Sequence, residues 1–156
     1  MIYKLTFPLQ LALPFLGLLT RHTPPTPKLG SETDAAKIEV HVTGLRNTNG
    51  DVVISLFNKA DGFPKMEKAL TVKTVKISDK VAEAEFDGLT PGVYGIAVFH
   101  DENGNGKMDT NFFGIPKEGV GASNGAKGHF GPPKFADASF RLDLGTKTIN
   151  ITVVYL

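Results

Sequence analysis

From position 37 onward, apolar and polar side chains alternate with a period of two rather than 3.6. In KIEVHVTGL, Ile38, Val40 and Val42 fall on one face and polar residues on the other. VAEAEF (81–86) and KTINITVVYL (147–156) repeat this alternation. Successive side chains of a strand point to opposite faces, so each segment predicts a half-buried β-strand.

Further segments extend the pattern. DVVISLFN (51–58) is apolar on both faces, which predicts a central strand covered on each side. ALTVKTVKIS (69–78), the residues after the Pro91-Gly92 turn, and FADASF (135–140) are also predicted strands. About seven short strands without an amphipathic helix predict an all-β, antiparallel β-sandwich of immunoglobulin-like or transthyretin-like type. A small barrel is the alternative.

The N-terminal residues have a different character. Lys4 precedes a mostly apolar run, so we interpret residues 1–22 as an export signal. The alternative is an extension without a targeting role. Residues 23–36 are rich in Pro, Thr and Ser and are predicted to be a disordered linker before the domain at 37–156. We therefore expect a periplasmic or secreted protein with no integral membrane domain beyond this signal.

Composition narrows the function classes. The chain has 156 residues and no cysteine, which excludes disulfides, thiol catalysis and Cys-ligated zinc. Residues 36–156 carry 14 basic and 14 acidic side chains, because three of the 17 bases and two of the 16 acids lie earlier. A balanced charge without a basic cluster argues against a nucleic-acid partner.

The segment FHDENGNGKMDTNF (99–112) has the spacing of a calcium loop. Hard cations take oxygen ligands from alternate residues of a loop, and a glycine permits the sharp bend. The candidate ligands are Asp101, Asn103, Asn105, the carbonyl group of Lys107, and Asp109. Phe112 stands where such loops carry a bidentate glutamate, so Glu102 or a remote acid would have to join. The alternative is a polar hairpin loop whose Asp and Asn side chains bond their own backbone.

The stretch FGIPKEGVGASNGAKGHFGPPK (113–134) is rich in glycine and has no apolar period. Loops longer than about 12–15 residues are usually functional or disordered. We predict a ligand or partner loop beside the acidic segment. Its candidate polar contacts are Lys117, Glu118, Ser123, Asn124 and His129. The alternative is a long crossover that covers a sheet edge.

No residue set indicates a reaction. Ser123, His100 and Asp101 could be drawn together as a triad, but no nucleophile elbow accompanies them. Adjacent His100 and Asp101 would point to opposite faces of a strand. We therefore expect no enzymatic activity and no cofactor other than calcium.

Two motifs carry a resemblance. GLTPGVYGIAVFHDENGNGKMD and NFFGIPKEGVGASNGAKGHFGPPKFADASF closely resemble an uncharacterised bacterial family of exported proteins. The resemblance covers most of residues 38–155 and implies export and a small β-sandwich, but no activity. One departure is VGAS after PKEG, where members often carry an aromatic pair. The Leu-x-Pro-Gly-x-Tyr turn is also similar to that of transthyretin-like and collagen-adhesin-type repeat modules.

Three functions remain open at this point. The first is an exported non-catalytic module that binds a ligand or an envelope or extracellular partner through residues 101–134, with calcium ordering the loop. The second is a structural envelope or spacer domain without a binding site. The third is an unrecognised hydrolase.

Overall fold

Eight strands form the framework of residues 35–156, the part of the chain that our computed structural model describes. They are β1 (Ala36–Thr43), β2 (Asp51–Phe57), β3 (Thr71–Lys76), β4 (Ala82–Leu89), β5 (Gly92–Asp101), β6 (Gly119–Ala122), β7 (Phe140–Leu142) and β8 (Gly145–Thr152). Two single turns of 3₁₀-helix (Met66–Lys68 and Ser123–Gly125) and the four-residue helix α1 (Phe135–Ala138) complete the secondary structure of this region.

The strands form two sheets that pack as a sandwich. One sheet has the order β4-β1-β8, and the other has the order β3-β2-β5-β6 with β7 paired to the first residues of β5. The all-β sandwich is confirmed. The pairing differs from the expected all-antiparallel arrangement in one place, since β1 and β8 run parallel. Parallel neighbours need a long connection, and here the chain between the first and last strands provides it.

The two inner faces supply the core through the predicted alternation. Ile38, Val40 and Val42 of β1 are buried against residues of the other sheet such as Ile54 and Ile96. The last strand places Ile149, Ile151 and Val153 in the same cluster. Removal of these apolar surfaces from water is the main favourable term in forming the sandwich.

The outer face of the five-stranded sheet is also covered, as the apolar character of β2 on both faces predicts. Phe57 of β2 is buried there, and Phe63 from the following loop packs edge-to-face on it, with ring centroids 4.9 Å apart. Phe135 of α1 packs on Phe63 in the same way at 5.6 Å and lies over Gly95. These three aromatic side chains cover one end of the outer face.

The two sheets meet along one edge without closing into a barrel. Val120 of β6 donates a backbone hydrogen bond to the Val154 carbonyl group at 2.8 Å and accepts one from Val154 at 2.9 Å. Gly119 and Gly121 flank Val120. A Cβ atom on Gly119 would overlap Val153 and the Tyr155 ring, and one on Gly121 would lie 2.8 Å from Ile151 Cγ2. The missing side chains therefore permit this close approach.

Two predicted elements are wrong in detail. FADASF was expected to be a strand, but Phe135–Ala138 is helical and only Phe140–Leu142 joins a sheet. The glycine-rich stretch was expected to be a loop, but Gly119–Ala122 forms β6. A four-residue strand with two glycines has no apolar alternation to reveal it, and its pairing depends on β5, which is distant in sequence.

The predicted export signal (1–22) and most of the predicted linker (23–36) lie outside the described residues. Residue 36, the end of that linker, is the first residue of β1. Between residues 35 and 156, no helix has both the length and the apolar character needed to cross a bilayer.

We predict that Gly119→Ala destabilises the protein. The added methyl group must displace Val153 and the Tyr155 ring, and overpacking of this kind costs about 1–3 kcal/mol. Urea unfolding measures the change in the free energy of unfolding. Gly131→Ala is the matched control, because a Cβ atom there meets nothing within 4 Å, and it should change stability by less than about 0.5 kcal/mol. Equal stability of the two variants would contradict the tight contact between the sheets.

Candidate functional site

The acidic loop begins at Asp101, the last residue of β5. Its side chain is almost fully buried, with 2% of the residue exposed. One carboxylate oxygen accepts a hydrogen bond from the backbone N–H of Asn105 at 3.1 Å, and the other accepts one from Gly106 at 2.7 Å. The loop is therefore folded around the Asp101 carboxylate.

The two asparagines shape the rest of this loop. The Oδ1 atom of Asn103 accepts from the N–H of Asn105 at 3.0 Å, and the Oδ1 atom of Asn105 accepts from that of Lys107 at 2.7 Å. These are Asx turns, the local bonding that Asp and Asn offer in loops. Both asparagine amide groups also donate to Asp109 Oδ2, at 2.6 and 3.1 Å.

Glu118 is the remote acid that joins this loop. It immediately precedes β6 and is 5% exposed. Its two carboxylate oxygens accept hydrogen bonds from the backbone N–H groups of Glu102 at 3.2 Å and Asp109 at 3.1 Å. Burial raises the pKa of Glu118 above its usual value, and the nearby carboxylates of Asp101 and Asp109 raise it further against the effect of these hydrogen bonds.

These contacts bring carboxylate and amide oxygens into one loop, and such oxygens are the ligand type that calcium prefers. Within residues 35–156, however, no three acidic or histidine side chains are arranged so as to hold a metal ion. The oxygens instead accept internal hydrogen bonds, as in the polar-turn interpretation. A carboxylate oxygen has more than one lone pair, so these bonds and a cation are compatible. The calcium site at Asp101, Asn103, Asn105, Lys107 and Asp109 stays a prediction.

The predicted polar contacts of the glycine-rich stretch lie in different surroundings. Lys117 and His129 are exposed, whereas Glu118 and Ser123 are buried. The Ser123 hydroxyl group accepts from the Ile96 N–H at 2.9 Å and contacts the Ala138 carbonyl oxygen at 2.5 Å, so it joins β5 to α1. Asn124 donates to the Ser139 carbonyl group at 2.7 Å.

A groove runs across the outer face of the five-stranded sheet and encloses about 1770 Å³. Its floor follows a row of small side chains on adjacent strands, in which Ser55 of β2 pairs with Ala97 of β5 and Ala97 pairs with Ala122 of β6. Larger residues such as Phe99 and Val120 flank this row. Side chains of this size leave a trench between the neighbouring rows of the sheet.

The walls of the groove come from the loops that the sequence singled out. The loop after β2 contributes Phe63 to Glu67, and the acidic loop contributes Gly106 to Met108 and Thr110. The glycine-rich stretch contributes residues along most of its length. The lining does not include the predicted polar contacts, which are Lys117, Glu118, Ser123, Asn124 and His129. The lining is instead mainly apolar, so the sequence identified the right segments but not the side chains.

Several aromatic side chains of these segments face solvent. Phe113 is 82% exposed and Phe130 is fully exposed, and both line the groove. Phe112 is 97% exposed and packs edge-to-face on Phe113 at 5.5 Å, but it does not line the groove. Exposed apolar surface of this kind is typical of interaction sites.

A buried polar cluster secures the base of the acidic loop. His100 is fully buried on the inner face, and its Nε2 atom lies 2.8 Å from the Asn49 carbonyl oxygen. A carbonyl oxygen only accepts, so Nε2 carries the proton and the Tyr155 hydroxyl group donates to Nδ1 at 2.6 Å. The Tyr155 hydroxyl group also accepts from the Arg46 N–H at 3.1 Å, and the Arg46 guanidinium lies 4.4 Å from the Tyr155 ring centroid.

This arrangement separates the three residues of the hypothetical triad. His100 points into the core while Asp101 points to the outer face, as their adjacency on one strand predicts. Both ring nitrogens of His100 are occupied, by Tyr155 and Asn49. The Ser123 hydroxyl group bonds backbone atoms instead.

We predict that Glu102→Gln lowers stability at neutral pH but not at low pH. The Arg46 guanidinium bonds both oxygens of Glu102, at 2.6 and 2.9 Å, and thereby holds the pKa of Glu102 below its ordinary value of 4.5. A depressed carboxyl pKa contributes stability that is present above the unfolded value and is lost as pH falls through the folded value.

Urea midpoints of wild type and Glu102→Gln should therefore differ at pH 7 and converge as pH falls below about 4.5. Asp143→Asn is the control, because Asp143 pairs with Arg141 on the open surface, where ion pairs contribute little. If Glu102→Gln lowers the urea midpoint equally at pH 7 and pH 3, the ion pair is not the cause of the lost stability.

Comparisons with known proteins identify a family but no specific function. A search of curated proteins finds no match. One solved structure with weak similarity is the pilus-presented adhesin Spy0125 (Cpa), in a cysteine-to-alanine mutant form, at 17% identity and a TM-score of 0.23. The match covers 78% of this chain and 27% of the adhesin chain, and a likeness of this size carries no argument about function.

The family comparison is extensive by contrast. Residues 40–150 match the family described as "Uncharacterized protein conserved in bacteria (DUF2141)". This match spans β2 to β7, parts of β1 and β8, the acidic loop and the glycine-rich stretch, and it confirms the resemblance that the sequence motifs carry. The chain belongs to this family of uncharacterised bacterial proteins.

Proposed function

We propose that this protein is an exported, non-catalytic β-sandwich module that binds a ligand or partner in the groove on the outer face of its five-stranded sheet. The observation that carries this proposal is that exposed aromatic residues adjoin the apolar floor of the groove. Phe113 and Phe130 project from the segments that wall the groove. Large side chains in water cost free energy that a bound molecule would recover.

The framework beneath the groove supports a binding role. Its floor lies on the paired strands β2, β5 and β6, whose register holds Ser55, Ala97 and Ala122 in line. Its walls are loops, and binding residues are commonly carried by loops on a rigid scaffold. Binding at such a site needs little reorganisation of the sheet.

A non-catalytic role is proposed because the polar groups near the site bond backbone atoms. Carboxylates and hydroxyl groups near the groove, such as Asp101 and Ser123, are engaged with backbone groups. A nucleophile needs a base within hydrogen-bond reach, and the ring nitrogens of His100 face the inner side of the sheet. The hydrolase hypothesis therefore has the least support.

Calcium is the proposed ordering ion of the acidic loop. The loop carries Asp101, Asp109 and two amide side chains, and Glu118 adds the acid that the sequence spacing lacks. Mutual repulsion of these carboxylates contributes to the raised pKa of Glu118. A divalent cation would neutralise that repulsion and stabilise the wall that Gly106 to Met108 contributes to the groove.

Export is proposed from the N-terminal sequence and from the family resemblance. Weak calcium sites serve extracellular modules, which bind calcium at about 10⁻⁴–10⁻³ M. Cell fractionation tests this part, since a cytoplasmic pool of the full-length chain would contradict export.

We predict that Phe113→Ser weakens binding to the groove whereas Phe112→Ser does not. The two residues are neighbours with similar exposure, but only Phe113 lines the groove. The immobilised full-length protein is incubated with envelope extract, and retained molecules are quantified by mass spectrometry. A groove ligand should be retained by wild type and Phe112→Ser and reduced about tenfold in Phe113→Ser, which corresponds to loss of a buried aromatic contact.

Equal retention by the two variants would contradict binding in the groove. If wild type and both variants retain no specific material, the alternative of a structural spacer domain is favoured.

We predict that millimolar calcium raises the melting temperature of the protein and releases or absorbs heat in isothermal titration. Asp109→Asn should remove most of this response, because it deletes one carboxylate from the loop. Asp87→Asn is the control, since Asp87 is an exposed residue of β4, outside the loop. No heat and no rise in melting temperature at millimolar calcium would eliminate the metal site.

A further inference from the structure

The groove combines its apolar lining with an excess of positive charge. Lys65, Lys107 and Lys127 line it, and Glu67 is its single acidic lining residue. The lysines and arginines that form ion pairs within residues 35–156 are Lys37, Arg46, Lys76 and Arg141. The three lysines of the groove are therefore available for an anionic group of a ligand.

The floor contains a buried hydroxyl group. Ser55 is 3% exposed and lines the groove. Its hydroxyl group makes no hydrogen bond to residues 35–156, in contrast to that of Ser123. A hydroxyl group at the bottom of an apolar trench loses its water when an apolar molecule enters, and this costs free energy unless the molecule supplies an acceptor.

Ser55 also stands at one end of the row of small side chains. The row continues through Ala97 to Ala122, and the far side of the groove is lined by residues of β8 and the segment after it, namely Asn150, Thr152, Val154 and Leu156. Lys65 belongs to the loop that walls the groove on the β2 side. The lining thus combines an apolar floor with three lysines against one glutamate, and Glu67 stands on the same wall as Lys65.

On this basis we propose that the groove binds a single-chain amphipathic carboxylate. Its carboxylate accepts a hydrogen bond from Ser55 and is neutralised by the net positive charge that Lys65, Lys107 and Lys127 give the lining over Glu67. Its alkyl chain lies over Ala97 and Ala122 and is covered by Phe113 and Phe130. This inference rests on the proposed function, because it names the ligand class of the same groove.

Other ligand classes fit these observations less well. A neutral apolar molecule leaves the Ser55 hydroxyl group and the three lysines without partners. A membrane surface would contact the exposed aromatic residues and lysines at the rim, but it would not reach the floor at Ala97. Binding of a single molecule in the groove should therefore depend on the floor residues, whereas adsorption to a membrane surface should not.

The test uses dodecanoate as the probe, at concentrations below micelle formation, with the full-length protein in isothermal titration. Dodecanol is the neutral probe of the same chain length. We expect dodecanoate to bind with 1:1 stoichiometry and about tenfold more tightly than dodecanol, as one charge-assisted hydrogen bond implies. Equal affinities for the two probes, or no binding of dodecanoate, would overturn the proposal.

Variants of the lining residues show where the probe binds. Ser55→Ala removes the hydroxyl group with little change of volume and should weaken dodecanoate about tenfold while leaving dodecanol unchanged. Joint substitution of Lys65, Lys107 and Lys127 by Gln should also weaken dodecanoate, whereas the control with Gln at Lys59, Lys80 and Lys147, which lie outside the groove, should not. Equal losses in the two lysine variants would indicate non-specific attraction and overturn the proposal.

A substitution that fills the floor checks the site independently of charge. Ala97→Leu should reduce the binding of both probes, because it occupies the trench, and its melting temperature shows whether the sheet remains folded. If Ala97→Leu is folded and binds dodecanoate normally, the ligand does not lie on the floor and the proposal fails. Binding to phosphatidylglycerol vesicles without binding of monomeric dodecanoate would likewise replace the proposal by a membrane-surface role.

Failure here is distinguishable from failure of the proposed function. If dodecanoate does not bind but envelope material is still retained through Phe113, the groove binds a ligand of another class. If neither binds, the groove has no binding role.

Discussion

The structure depends on the close contact between β6 and the C-terminal residues that follow β8. The backbone pair between Val120 and Val154 joins the two sheets at one edge, and it forms only because Gly119 and Gly121 present no side chains to Val153, Tyr155 and Ile151. This contact places Val154 and Leu156 along the groove. It also positions Tyr155 for its hydrogen bond to His100. One small steric constraint therefore couples the sandwich, the groove and the base of the acidic loop.

The acidic loop and the groove are parts of one structural unit. Glu118 precedes β6 and binds the backbone of the acidic loop at Glu102 and Asp109, while Glu102 is held by Arg46 next to Tyr155. Through these contacts, the loop that begins at Asp101 is tied to β6, the strand that contributes Ala122 to the groove floor. An ion that orders the loop would thus also stiffen a wall of the groove, which links the calcium prediction to ligand binding.

Much of the framework was predictable because its causes are local. Alternation in β1, β4 and β8 follows from the two-residue period of a strand, and the apolar character of both faces of β2 predicted its double cover. The loop around Asp101 was identified because Asp, Asn and Gly form Asx turns and left-handed bends within a few residues. In contrast, β6 and the helical turn at Phe135–Ala138 were not predicted, since β5 and the packing of Phe135 on Phe63 determine them.

The sequence by itself thus determined the fold class, the segments that carry the candidate site, and the family to which the chain belongs. Only the tertiary structure decided which side chains meet. It brought Ser55, Ala97 and Ala122 into one row, buried Ser123 and Glu118, and left Phe113 and Phe130 exposed around the groove. The physical reason is that periodicity reports the face of a strand on which a residue lies, whereas strand register and loop packing, which join residues distant along the chain, decide what that face contacts.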